Sequence, residues 1–286
     1  MTVTDQRPGA LSQLFARTAG EGRAALIGYV PAGFPTVDGA IAAMRAMVDG
    51  GVDAIEVGLP YSDPLLDGPV IQTAVDQALG QGVTTTDVME TVRQVALSGA
   101  PTLIMSYWNP IERYGVDRFA SELANAGGAG VITADITPDE AGEWIRASST
   151  AALDRVFLVA PSSTDARIAL TTAAASGFVY AAAVMGVTGA RDQVGPAAEN
   201  LVQRVRAVTT LPVCVGLGVS TGEQASQIAR FADGVIVGSA FVRALLQADS
   251  PSAGVESVRA LAAELRAGVE NAAAGGAAAE RSGRSG

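Results

Sequence analysis

Eight short apolar runs, each bounded by Gly, Pro or Asp and separated by segments with helical spacing, predict an α/β fold. Eight strand–helix units are the number that close a (β/α)8 TIM barrel. The expected architecture is a single barrel with an extra N-terminal helix and an additional helix after strand two. Two further observations agree. A length of 286 residues is ordinary for one such barrel, and 49% hydrophobic against 5% aromatic residues asks for a core of Val, Ile, Leu and Ala. No GxGxxG turn follows the first run, which disfavours the open doubly wound alternative.

A stretch around residues 9–19 is the extra helix, placed to cover the barrel bottom. Strand one is AALIGYV (24–30); Thr36 opens the next helix, with Ile41, Met44 and Val48 at helical spacing. Strand two, AIEVGL (54–59), is followed by two helical stretches, 70–79 and 86–97. Strand three is TLIMSY (102–107), after which Asp117 marks a helix start ahead of Phe119 and Leu123. GVITADI (130–136), RVFLVAP (155–161) and FVYAAAV (178–184) are strands four to six. PVCVGLG (212–218) is strand seven, Thr221 opens its helix, and GVIVGSA (234–240) completes the set. Residues 1–270 form one domain; the small, low-complexity residues 271–286 are expected as a disordered C-terminal tail.

Composition removes several functions. The net charge is −10 with no basic run, so neither nucleic acid nor a membrane surface is an expected partner. All 19 basic residues are Arg, and His is absent as well as Lys. That excludes a lysine Schiff base, an imidazole acid/base and a His-ligated metal; no cofactor and no metal are expected. The one cysteine, Cys214, lies in apolar LPVCVGLG and reads as core packing, without a sequence neighbour that would activate it. A single Cys forms no intrachain disulfide, which fits a reducing cytoplasm. MTVTDQRPG lacks the pattern of a signal peptide, and no apolar run reaches the length of a membrane span. A soluble, cytoplasmic protein is expected.

In such barrels the chemistry sits where strands end and βα loops begin. After strands six, seven and eight come MGVTGA (185–190), GLGVST (216–221) and GSAF (238–241), which carry Gly and hydroxyls but no acid. Glycine lets a backbone approach an anion, and N–H groups at the next helix start donate to it. Together the three loops suit a phosphate, and Ser239 adds a hydroxyl. The acids lie on the other side. Strand-two parity puts Ala54, Glu56 and Gly58 on one face and bulky Ile55 and Val57 on the other, so Glu56 points into the barrel. Desolvation there would raise its pKa towards neutral and suit it to acid/base work. Asp67, in LLDGP, reads either as a turn residue or as a second site acid, and Asp63, in SDP, as a turn residue or an exposed contact. Tyr180 is either a core aromatic or a hydroxyl reaching toward the mouth.

IEVGLPYSDPLLDGPVIQ, MSYWNPIERYG, GFVYAAAVMGVTGAR and ADGVIVGSAFV together resemble the tryptophan synthase α subunit family, in its order and spacing from about Leu11 to Val269. The resemblance implies cleavage of indole-3-glycerol phosphate to indole and glyceraldehyde 3-phosphate, within an α2β2 complex whose β subunit consumes the indole. By the same resemblance Glu56 is the catalytic glutamate, Asp67 the aspartate on the indole N–H, and Tyr180 a tyrosine lining the site. Gly189, Gly218, Gly238 and Ser239 fall on phosphate-binding positions, and Thr188 on a threonine of the loop that closes over substrate. Asp63 with Asn109 and Pro110 falls on the face toward the β subunit. Phe34, Ala183 and Leu217 depart from the commonest pattern, mostly as apolar changes around the pocket. Carbon–carbon cleavage without lysine or metal is consistent with this substrate, because indole protonated at C3 is its own electron sink. A neighbouring phosphosugar isomerase is disfavoured, since strands one and five end in GYVPAG and APSS without an acid. A barrel kept only to bind a partner is disfavoured by the presence of both Glu56 and Asp67.

Overall fold

The computed structural model describes residues 9–183, 196–216 and 218–283, with side chains described as far as Ala272. The parallel strands are β1 (Ala25–Pro31), β2 (Ala54–Gly58), β3 (Thr102–Ser106), β4 (Gly130–Thr133), β5 (Asp154–Val159), β6 (Val179–Ala182), β7 (Val213–Gly216) and β8 (Gly234–Val237). They close in chain order, β8 pairing back onto β1, into the expected (β/α)8 barrel. Helices α1 (Ala10–Gly20), α2 (Val37–Asp49), α3 (Pro69–Gly80), α4 (Thr85–Ala96), α5 (Trp108–Tyr114) and α6 (Val116–Asn125) belong to the first half. Helices α7 (Gly142–Thr150), α8 (Asp165–Ala174), α9 (Pro196–Arg206), α10 (Gly222–Ala229), α11 (Ser239–Leu246) and α12 (Pro251–Gly283) belong to the second.

The helix starts follow the local chemistry. Thr36 accepts the Gly39 N–H at 3.0 Å and Thr221 that of Gln224 at 3.3 Å, each holding a donor that the first turn leaves free. Asp117 is not a start. Gly115, with φ 98°, turns the chain between α5 and α6, so α6 begins at Val116 and Asp117 sits inside its first turn. There it pairs with Arg146 at 2.9 Å. α12 continues as helix to Gly283, through most of the stretch expected as a tail, in keeping with the high helix propensity of its alanines.

Strand parity sorts the core into two. Ala25, Ile27, Ala54, Leu103, Ile132, Val156, Phe178, Cys214 and Ile236 point inward and fill the barrel, and Cys214 is fully buried among them. Leu11, Leu14 and Phe15 of α1 plug this core from below, with Phe15 edge-on to Phe178 at 5.8 Å. The alternate residues, including Ile55 and Val57, pack outward against Phe119, Trp144 and Phe241 of the helical ring. Asp53, just before β2, is buried at the barrel bottom, where it binds Arg23 at 2.7 Å, Arg17 at 3.1 Å and Arg266 at 3.3 Å. It also accepts the Leu26 N–H at 2.9 Å, so one carboxylate ties α1, β1, β2 and α12 together.

Candidate active site

The lower inward positions are apolar; polarity begins at the upper ends of the strands. Glu56 is the inward residue there on β2, in register with Tyr29 of β1 and Leu103 of β3. It is fully buried, and neither carboxyl oxygen has a hydrogen-bond partner among the described residues. Buried carboxylates are ordinarily held by Arg or by amide groups. This one is held by nothing, and burial alone pushes its pKa up to about 8. At neutral pH it therefore carries a proton that it can give.

Tyr29 and Tyr180 also point inward. The Tyr180 hydroxyl lies only 2.3 Å from where a Cβ on Gly216 of β7 would stand, so the ring joins the core while its hydroxyl reaches the strand-end level. Burial raises the Tyr180 phenol well above its usual range, with Glu56, Cys214 and Asp67 adding to the rise. Asp67 lies between β2 and α3, half-buried. Burial raises its pKa, opposed by a hydrogen bond from the Tyr107 hydroxyl. That hydroxyl also accepts the Leu66 N–H at 2.9 Å, and Gln72 donates to the Asp67 carbonyl at 2.7 Å. Asp67 is thus a held carboxylate facing the same space as Glu56, and not a helix cap: Gly68 is the residue that precedes α3.

On the opposite rim Gly218 has φ 81°, a left-handed conformation that glycine adopts without strain. Gly238 precedes α11 and Ser239 is its first residue, with no side chain capping that start. The leading N–H groups of α11 are free for an anion. Thr188 and Gly189, and Leu217 among the departures, lie outside the described residues. Phe34 and Ala183 are both buried. Asp63 is exposed on the acid-bearing loop and accepts from Ser62 at 2.7 Å. Asn109, exposed on the first turn of α5 beside Pro110, donates to the Tyr61 hydroxyl at 3.0 Å, and Asp135 holds the Trp108 N–H at 2.7 Å. The loops after β2, β3 and β4 are therefore one connected rim.

Two residues of this site escape a reading of local pattern. Tyr107 reaches Leu66 from 41 positions away, a contact that no periodicity announces. Tyr29 shares the inward parity of Ala25 and Ile27, the one signal that could have found it. A groove of about 1080 Å³ opens at the other end of the barrel, where Arg23 and Arg206 are engaged by Asp53 and Asp233. The chemistry belongs to the strand ends, where an unpartnered acid lies.

A closed barrel with a buried acid unpaired among the described residues, and glycine-lined strand ends across the mouth, has the build of a (β/α)8 enzyme. Comparison with known proteins narrows that class. The family described as tryptophan synthase alpha chain matches residues 15–270. The tryptophan synthase alpha chain of Streptomyces avermitilis is 60% identical over 265 residues, covering 92% of this chain and 96% of that protein. Its counterpart from Thermobifida fusca is 58% identical over 266 residues, covering 92% and 98%. A tryptophan synthase structure from Mycobacterium tuberculosis superposes with TM-score 0.86 at 52% identity, covering 92% of this chain and 99% of that one. The chain belongs to the tryptophan synthase alpha chain family.

Proposed function

We propose that Glu56 and Asp67 carry in this chain the reaction of its family, retro-aldol cleavage of indole-3-glycerol phosphate to indole and glyceraldehyde 3-phosphate in tryptophan biosynthesis. The observation that carries the assignment is the buried Glu56 carboxyl, protonated at neutral pH and without a hydrogen-bond partner among the described residues. Glu56 gives its proton to indole C3, and the ring nitrogen takes up the positive charge as an iminium. The carbon–carbon bond then breaks toward that sink. Glu56, now a carboxylate, takes the proton of the glycerol hydroxyl as it becomes the aldehyde, which restores its starting state. Asp67, its pKa raised by burial against an opposing hydrogen bond from Tyr107, accepts the indole N–H as a carboxylate and stabilises the iminium. Tyr180 lines the ring pocket. Gly189, Gly218, Gly238 and Ser239 hold the phosphate, and Thr188 belongs to the loop that closes over substrate. Asp63, Asn109 and Pro110 face the tryptophan synthase β subunit, which takes the indole within an α2β2 complex. Among the described residues no helix is long and apolar enough to cross a membrane, which is compatible with a cytoplasmic site of action.

Glu56→Gln keeps the shape and removes the proton. Indole release from indole-3-glycerol phosphate, assayed with the β subunit present, is expected to fall about a hundred- to ten-thousandfold. Retention of more than about a tenth of wild-type turnover would remove Glu56 from the mechanism.

A further inference from the structure

The inward residue opposite Glu56 on the neighbouring strand is Tyr29, its register partner. The ring crosses the top of the barrel. Its Cδ1 is 3.2 Å from where a Cβ on Gly238 would stand, and its hydroxyl 2.3 Å from where one on Gly58 would stand. Gly58 is two residues past Glu56 on the same inward face, so the hydroxyl sits one layer above the carboxyl, toward the mouth. The Tyr29 ring crowds Gly58 as the hydroxyl does, with Cε2 and Cζ each 2.6 Å from the same point, so Gly58 leaves room for the whole side chain. Its hydroxyl makes no hydrogen bond among the described residues. One layer below on the same inward face, the two carboxyl oxygens of Glu56 likewise have no partner there. Tyr180 does not duplicate the arrangement, because its hydroxyl rests over Gly216 on β7.

We propose that Tyr29 is a positioning residue for Glu56: unbonded to the carboxyl in this structure, its hydroxyl becomes the donor that draws the carboxyl toward the mouth and stabilises it once it is anionic. The inference rests on Glu56 as the group that moves the protons. Tyr29 keeps its own proton throughout: burial first, then the charges of Asp67 and Glu56, push the phenol well above its usual range. The titratable groups facing this pair are Asp67 from the loop after β2, Tyr107 after β3, Tyr180 on β6 and Cys214 on β7. Among the described residues no cation is in this group, and Tyr29 is a neutral donor placed to offset the charge that forms on Glu56.

The test is Tyr29→Phe in the full chain with the β subunit, assayed for indole release from indole-3-glycerol phosphate across pH 6–10. Loss of a hydrogen bond to a charged group predicts a kcat about ten- to a hundredfold lower with KM little changed. The basic limb of the kcat profile, which reports Glu56, should move up by about one pH unit, because the carboxylate has lost its donor. Unchanged kcat, an effect confined to KM, or a lower kcat with the basic limb in place would each overturn the proposal. Gly58→Ala supplies a second reading, since its Cβ would stand 2.3 Å from the hydroxyl and 2.6 Å from the ring carbons and so displaces the whole side chain. It should lower kcat and shift the limb in the same direction as Tyr29→Phe; a basic limb left in place would count against the proposal. Thermal melts of each variant separate misfolding from this effect. Glu56→Gln distinguishes the two levels: activity in that variant sinks the role of Glu56 itself, whereas an inactive Glu56→Gln beside a normal Tyr29→Phe sinks only that of Tyr29.

Discussion

Glu56 owes its chemistry to being buried with no hydrogen-bond partner among the described residues. A carboxyl bonded to Arg would ionise at low pH and hold its proton too weakly to give one to carbon at pH 7. An unpaired buried carboxyl has the opposite character, and the cost falls on stability. The unfolded chain releases the proton near the ordinary glutamate value of 4.5, whereas the folded chain holds it to about 8. The stabilising contribution of this group is fully present below the lower value and is lost as pH rises through the upper one. The isosteric Glu56→Gln does not titrate. Its stability relative to wild type is therefore expected to improve progressively from pH 5 to pH 8 and level off above that, by about 5 kcal/mol in total. Urea denaturation of both proteins at a series of pH values measures the difference. A constant offset across the range would mean that Glu56 ionises normally in the folded state.

At the scale of elements, β2 joins both ends of the barrel: Asp53 anchors its start and Glu56 occupies its working end. Asp53 and Arg23 have side chains only 4% and 5% exposed, so removing Asp53 leaves the buried Arg23 with only the half-exposed Glu21 as an ionic partner and takes a partner from Arg17 and Arg266 at this end of the barrel. Asp53→Ala is expected to destabilise the fold by about 3–5 kcal/mol in chemical denaturation. Its effect on kcat under native conditions should be small, since the network lies at the opposite end from the mouth. A loss below about 1 kcal/mol would show that water enters and serves Arg23 in place of Asp53. The same strand shows what could be read beforehand. Period-two alternation was enough to orient Glu56, because a strand buried on both sides allows one register, but it left Tyr180 open between the core and the mouth. Hydroxyl caps located α2 and α10. Local pattern failed where geometry is settled at a distance. α5 had no start signal of its own in the sequence: Pro110 is tolerated in its first turn, and Asp135 caps it from the end of another strand. Tyr107 reaches Asp67 across the same gap, so the hold on Asp67 was not visible in LLDGP itself.

At the scale of the molecule, the two faces of the barrel divide the labour. The lower face, with the α1 plug and the arginines around Asp53, is committed to stability, and the upper face carries the unpaired acid and the uncapped α11 start. The upper rim is also where large apolar side chains meet solvent: Leu65 and Leu66 are 75% and 57% exposed beside Asp63. An apolar pair flanked by an acid, on a loop that also holds Asp67, is suited to a partner that engages the rim and so influences the site. Asp63 bonds only its neighbour Ser62 among the described residues, so the fold does not depend on it. Asp63→Arg is therefore expected to leave the melting temperature within about a degree of wild type, as for other surface changes away from structural contacts. Reversing its charge should weaken association with the β subunit about tenfold or more, and more at low than at high ionic strength. Titrating the β subunit into each protein while following indole release measures both the affinity and the degree of activation. An affinity equal to wild type at low salt would place the β-subunit contact elsewhere and leave Asp63 a solvated turn residue.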